Sequence, residues 1–73
     1  MSKDERISLR SARMMRGITQ AEMAKKLGVH RNTYANWEEN PEDISMKKAD
    51  EICTILNLTA DDIIFFKPEV YKM

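Results

Sequence analysis

Residues 17–39 read GITQAEMAKKLGVHRNTYANWEE, and a second glycine divides the stretch into two short helical blocks. Thr19-Gln20-Ala21-Glu22 places Thr at an N-cap and Glu three positions on, the reciprocal arrangement that satisfies two orphan amides. A helix is therefore expected to start at Gln20 and to bury Met23, Ala24 and Leu27. Gly28 ends it, because glycine takes the left-handed cap without a Cβ penalty. Gly28, Val29 and His30 then separate it from a second block, placed at Arg31–Glu39. A connection this short forces a sharp corner between two helices.

The second block has two faces. At about 100° per residue, Arg31, Asn32, Ala35, Asn36 and Glu39 share one side. Tyr34 and Trp37 share another, which Val29 joins from the turn, and these aromatics are expected to anchor the helix in the core. The polar side suits base edges. Arg pairs in bidentate fashion with guanine and Asn with adenine, each good pair worth roughly 1–3 kcal/mol of discrimination. Arg31 and Asn32 fall in the first turn, the part of the second helix of a helix-turn-helix unit that contacts bases in the major groove. Thr33 is expected at the edge of the packing surface, where its methyl can approach a thymine.

Working outward, Leu9, Ala12 and Met15 or Arg13 recur at helical spacing, which predicts a first helix over about residues 5–16, stopped by Gly17. Asn40-Pro41 ends the third helix, with Asn expected in the left-handed cap. Ser45 is a suitable N-cap for a fourth helix, Met46–Leu56, with Met46, Ala49, Ile52, Cys53 and Leu56 in one stripe and Asn57 as its cap. Thr59-Ala60-Asp61-Asp62 predicts the start of a short fifth helix, in which Ile63, Ile64, Phe65 and Phe66 form an apolar patch before Lys67-Pro68 breaks it. No sustained period-2 alternation signals a strand. The expectation is an all-α, compact five-helix bundle containing a helix-turn-helix, in one domain spanning 1–73, with its core at about 5–66 and 67–73 a tail.

Composition excludes several functions. In 73 residues with one cysteine and one histidine there is no internal disulfide and no zinc spacing, so no metal or cofactor is expected and a reducing cytoplasm is the natural setting. The chain has neither an apolar run of roughly 18 residues nor a secretory-type N-terminus, so no membrane association is expected. An enzyme is not expected either: there is no Ser/His/acid or Cys/His set and no phosphate-cradling glycine loop, and Asp61-Asp62 suits the first turn of a helix. The net charge is zero, yet it is divided: residues 1–31 carry eight basic and three acidic side chains, and residues 32–73 carry four basic and nine acidic. Such a split points to an oriented electrostatic surface.

From about Leu9 to Phe66 the chain resembles the Cro and cI repressor type of helix-turn-helix, also called the xenobiotic response element (XRE) family. The resemblance is carried by LRSAR, GITQAEMAKKLGV, the T-Y-x-x-W-E of the third helix, and ISMKKADEICTILNLTADDI. In size it is similar to the small phage or prophage Cro-like regulators. The resemblance implies a sequence-specific regulator of transcription, a repressor, working in the bacterial cytoplasm or nucleoid on double-stranded DNA. It implies base contacts from His30, Arg31, Asn32 and Asn36. Gln20 would contact a phosphate or brace the reading side chain beside it, and Thr19, Lys25, Arg10 and Thr33 complete the backbone or supporting set. Arg13 and Glu38 match positions that pair in this family, read here as a structural ion pair between the first and third helices.

Two departures stand out. His30 occupies a place where the family usually has a Ser or Thr N-cap, and the segment EENPEDIS is acidic where the family commonly carries basic residues that touch the DNA backbone. Helix-turn-helix proteins gain affinity as two-fold dimers, so a homodimer on a palindromic operator is expected, with Ile63, Phe65, Phe66, Val70 and Tyr71 as its interface. The alternative is an antitoxin or protein-binding adaptor on the same fold, whose acidic half docks a protein partner.

Overall fold

Caps decide where the helices begin and end. The computed structural model describes residues 6–65. Within them lie four α-helices, α1 (Leu9–Met15), α2 (Gln20–Leu27), α3 (Arg31–Glu39) and α4 (Met46–Leu56), and two short strands, β1 (Ile7–Ser8) and β2 (Ile63–Ile64). α1 starts later than its apolar spacing suggested, because Ser8 is extended and its hydroxyl accepts the Ser11 N–H at 3.0 Å. The capping box of α2 is complete: Glu22 N–H donates to Thr19 Oγ1 at 3.0 Å, and Thr19 N–H to Glu22 Oε1 at 2.8 Å. Ser45 caps α4 through the Lys48 N–H.

The C-termini are closed in three ways. Gly28 and Asn57 take left-handed conformations, at φ 72° and 57°, which frees their amides to reach back into the preceding turn. Asn40 does not take the left-handed cap expected of it. Its φ is −132°, its amide donates to Asn36 O, and a 3₁₀ turn at Pro41–Asp43 follows directly. Two basic side chains take carbonyls that no amide reaches: Lys48 Nζ donates to Leu27 O at the end of α2, and Arg16 Nε to Leu56 O at the end of α4.

The core gathers Leu9 and Ala12 from α1, Met23, Ala24 and Leu27 from α2, Tyr34 from α3, and Ile52 and Leu56 from α4. Trp37 meets Tyr34 edge to face, with ring centroids 6.4 Å apart. α2 and α3 pack on one another more extensively than any other pair of elements, as the three-residue corner between them requires.

The fifth helix does not form. After one 3₁₀ turn, Ala60–Asp62, the chain becomes extended, and β2 pairs in parallel with β1, Ile7 opposite Ile63 and Ser8 opposite Ile64. Thr59 and Asp62 do bond to one another as a cap would. The apolar residues that follow are placed by a period of two: Ile63 is 1% and Phe65 8% exposed, both in the core. The described architecture is therefore mostly helical, with four α-helices and a short strand pair that ties its two ends together. This also corrects the proposed dimer interface, since Ile63 and Phe65 are spent on the protomer's own core. Phe66, Val70 and Tyr71 lie outside the described residues. Ile63→Ala should cost about 2–5 kcal/mol of unfolding free energy in a urea titration. A cost below about 0.5 kcal/mol, the range for surface positions, would mean that Ile63 is not a core residue.

Candidate nucleic-acid interface

A buried ion pair sets the position of the exposed face. Arg13 Nε lies 2.6 Å from Glu38 Oε2, with side chains only 9% and 3% exposed. Arg13 also donates to Glu38 Oε1 and, from Nη1, to Ile18 O at 2.7 Å. Gln20 Nε2 donates to the same Glu38 oxygen at 2.9 Å. One carboxylate thus joins α1, the start of α2 and α3, and it holds the turn between the first two helices through Arg13. Burial alone would raise the Glu38 carboxyl, but Arg13, the nearby Tyr34 hydroxyl and the Gln20 amide together outweigh it and hold it below its ordinary value. The hydrogen bond that Arg13 donates to Glu38 raises the guanidinium above its ordinary value. Tyr34 Oη is buried with no partner at hydrogen-bond distance; burial, then the nearby Glu38 carboxylate, pushes the phenol upward.

Above this knot, His30 opens α3. Its Nδ1 accepts the Asn32 N–H at 3.0 Å, so an imidazole does what Ser or Thr would do. The neutral ring then carries its proton on Nε2 and has a donor left to offer. Arg31, Asn32 and Thr33 follow, all exposed; Thr33 is more open than its expected place at the packing edge. A shallow groove of about 550 Å³ runs between the end of α1 and the starts of α2 and α3, lined by Arg10, Met14, Thr19, Gln20 and Arg31 among others.

The structure gathers part of the predicted set and separates the rest. Arg10, Thr19, Gln20 and Arg31 meet at the groove, although Gln20 spends one donor on Glu38 and Thr19 uses its hydroxyl oxygen for the cap. Lys25 is exposed and lies outside the groove lining. Asn36 sits farther along α3 with both ends of its amide engaged: Nδ2 donates to Asp43 Oδ2 at 3.2 Å, and Oδ1 accepts from Asn40 Nδ2 at 3.0 Å. Asp43 and Asn40 were not anticipated as neighbours of the reading face. The acidic run EENPEDIS signalled the charge, but not that the 3₁₀ turn would fold it back onto α3. Among the described residues, no three His, Cys, Asp or Glu side chains are grouped to hold a metal, and no helix is long and apolar enough to cross a membrane.

This geometry, two short helices at a tight corner with the second presenting its first turn, defines a helix-turn-helix domain. The chain belongs to the helix-turn-helix family, whose pattern matches residues 9–63. Over 64 residues it is 34% identical to an uncharacterized HTH-type transcriptional regulator of Archaeoglobus fulgidus, covering 88% of this chain and 91% of that protein. Over 52 residues it is 35% identical to antitoxin HipB of Escherichia coli O6:H1, covering 71% of this chain and 55% of HipB. No solved structure matches it.

The pair at the heart of the site gives two outcomes to measure. Arg13→Ala leaves Glu38 buried without its cation and should lower stability by about 3–5 kcal/mol, whereas Tyr34→Phe removes an unpaired hydroxyl and should leave Tm unchanged or higher. A neutral effect of Arg13→Ala on Tm would show the pair to be dispensable. Glu38 is depressed in the fold, so its contribution is complete above the ordinary carboxylate range and is lost as pH falls through the depressed value. Tm should therefore drop as pH is lowered below about 4.3, with a shallower drop in Glu38→Gln.

Proposed function

We propose that this protein is a sequence-specific, double-stranded DNA-binding transcriptional regulator that reads the major groove with α3. The observation that carries the reading is the first turn of α3, where Arg31, Asn32 and Thr33 stand exposed and Arg31 lines a groove together with Arg10 and Gln20. Arg31 and Arg10 hold no hydrogen bond or ion pair among the described residues, so their donors are available to guanine edges and phosphate oxygens. His30 adds a donor from Nε2. The resemblance to an HTH-type transcriptional regulator over most of both chains supports the same reading.

Repression is the simplest mode, since a domain of this size acts by occupying its site. One recognition helix spans a few base pairs, and two copies on half-sites one helical turn apart supply the missing affinity; a homodimer on a palindromic operator is part of the reading. A second reading, favoured by the resemblance to an antitoxin, has the same domain engage a protein partner as well as DNA.

Selection of sites from a random duplex library tests the main reading. The wild type should enrich a palindromic motif, and Arg31→Ala should bind that motif more weakly by about 1–3 kcal/mol and relax one base position. If no motif is enriched and only weak, salt-sensitive binding is seen, the DNA reading gives way to the protein-binding one.

A further inference from the structure

An acidic 3₁₀ turn, Pro41–Asp43, follows α3 directly. Asp43 N–H bonds to Asn40 O at 2.9 Å and Ile44 N–H to Pro41 O at 3.1 Å, and Ile44 packs against the core. The turn is therefore built against the domain. Its outcome is that the Asp43 carboxylate rests on the solvent side of α3, bonded to the amide of Asn36. Asn36 lies five positions after Arg31, about 7.5 Å along the helix axis. Among the described residues no cation pairs with Asp43; its partner is a neutral amide, so its negative charge stands uncompensated beside the face offered to DNA.

Resting on the DNA-binding reading above, we propose that Asp43 is a specificity-determining residue that acts through Asn36: it engages the amide and sets a negative charge where phosphates approach, so that an arbitrary duplex is bound poorly. Three features agree with this. Arg13 is paired with Glu38 and Lys48 with Glu51, and the chain's net charge is zero, so the net attraction to a duplex is small and one opposing charge weighs against it. A duplex without the right base at Asn36 gives no return for disturbing its bonds to Asp43 and Asn40. One with an adenine there offers bidentate pairing in exchange. The charge thus discriminates against the wrong partner more than it favours the right one.

Asp43→Asn removes the charge while keeping an oxygen that can still accept from Asn36, and Glu42→Gln changes the net charge equally one position away. Binding to a random-sequence duplex and to the selected site is measured for the three proteins from about 50 to 200 mM salt, after equal Tm values have confirmed folding. The expected result is that Asp43→Asn binds random duplex about threefold or more tightly at the low-salt end, with a log–log salt slope steeper by about one. The ratio of selected to random affinity should fall, and Glu42→Gln should change much less. An unchanged random-duplex affinity in Asp43→Asn overturns the proposal, as does an equal effect of Glu42→Gln, which would assign the effect to net charge. A loss confined to the selected site also overturns it and makes Asp43 a base contact, an acceptor for cytosine N4. The random-duplex arm reads Asp43 even if selection yields no motif, so failure of the DNA-reading assignment is seen separately.

Discussion

The contact between Arg13 and Glu38 is the constraint on which the arrangement depends. A carboxylate with 3% of its side chain exposed would be costly in this interior without a cation and further donors. It has both: Arg13 from α1 and the amide of Gln20 from α2. Through Ile18 O the same guanidinium holds the turn between the first two helices. A helix of nine residues such as α3 is marginal alone. Here it is fixed at one end by the imidazole cap and near the other by this pair, with Tyr34 buried between them.

That construction has a consequence for charge. The N-terminal half is the basic one, yet Arg13 is buried against the protein's own Glu38 carboxylate, and the exposed Arg16 donates to Leu56 O. Arg10, Lys25, Lys26 and Arg31 remain exposed on the same half. Protein–DNA affinity that rests on phosphate neutralisation is indiscriminate; under the proposed reading, an acidic turn beside α3 shifts the balance toward base edges. Net charge zero is then compatible with DNA recognition, because the division of charge over the surface matters more than the sum.

Much of this was legible in the chain because local chemistry decided it. α2, α3 and α4 run where the Thr19–Glu22 box, Gly28, Ser45 and Asn57 place their ends, and the aromatic and polar faces of α3 follow from helical spacing. The pairing of Arg13 with Glu38 came from family resemblance and is present at 2.6 Å. What was not legible is non-local. Ile63 and Phe65 were expected on a fifth helix and at the interface with a second copy; the partner that holds Ile63 in an extended form is Ile7, 56 positions away in the sequence, and no local pattern encodes that pairing. The Asn36–Asp43 contact was likewise hidden, because it depends on a 3₁₀ turn at Pro41–Asp43 rather than on the left-handed Asn40 that the residue pair suggested.

Under the proposed reading, the first turn of α3, together with the groove it shares with the end of α1 and the start of α2, meets DNA. A titration of the ¹⁵N-labelled protein with duplex DNA, followed by amide and side-chain NMR shifts, tests it most directly. The largest changes should fall on Arg31, Asn32, Thr33, Gln20 and the Arg10 side chain, with the Asn32 amide reporting on its His30 cap. Changes centred on the acidic face of α4, around Asp50 and Glu51, or no changes at all under low-salt conditions, would contradict it.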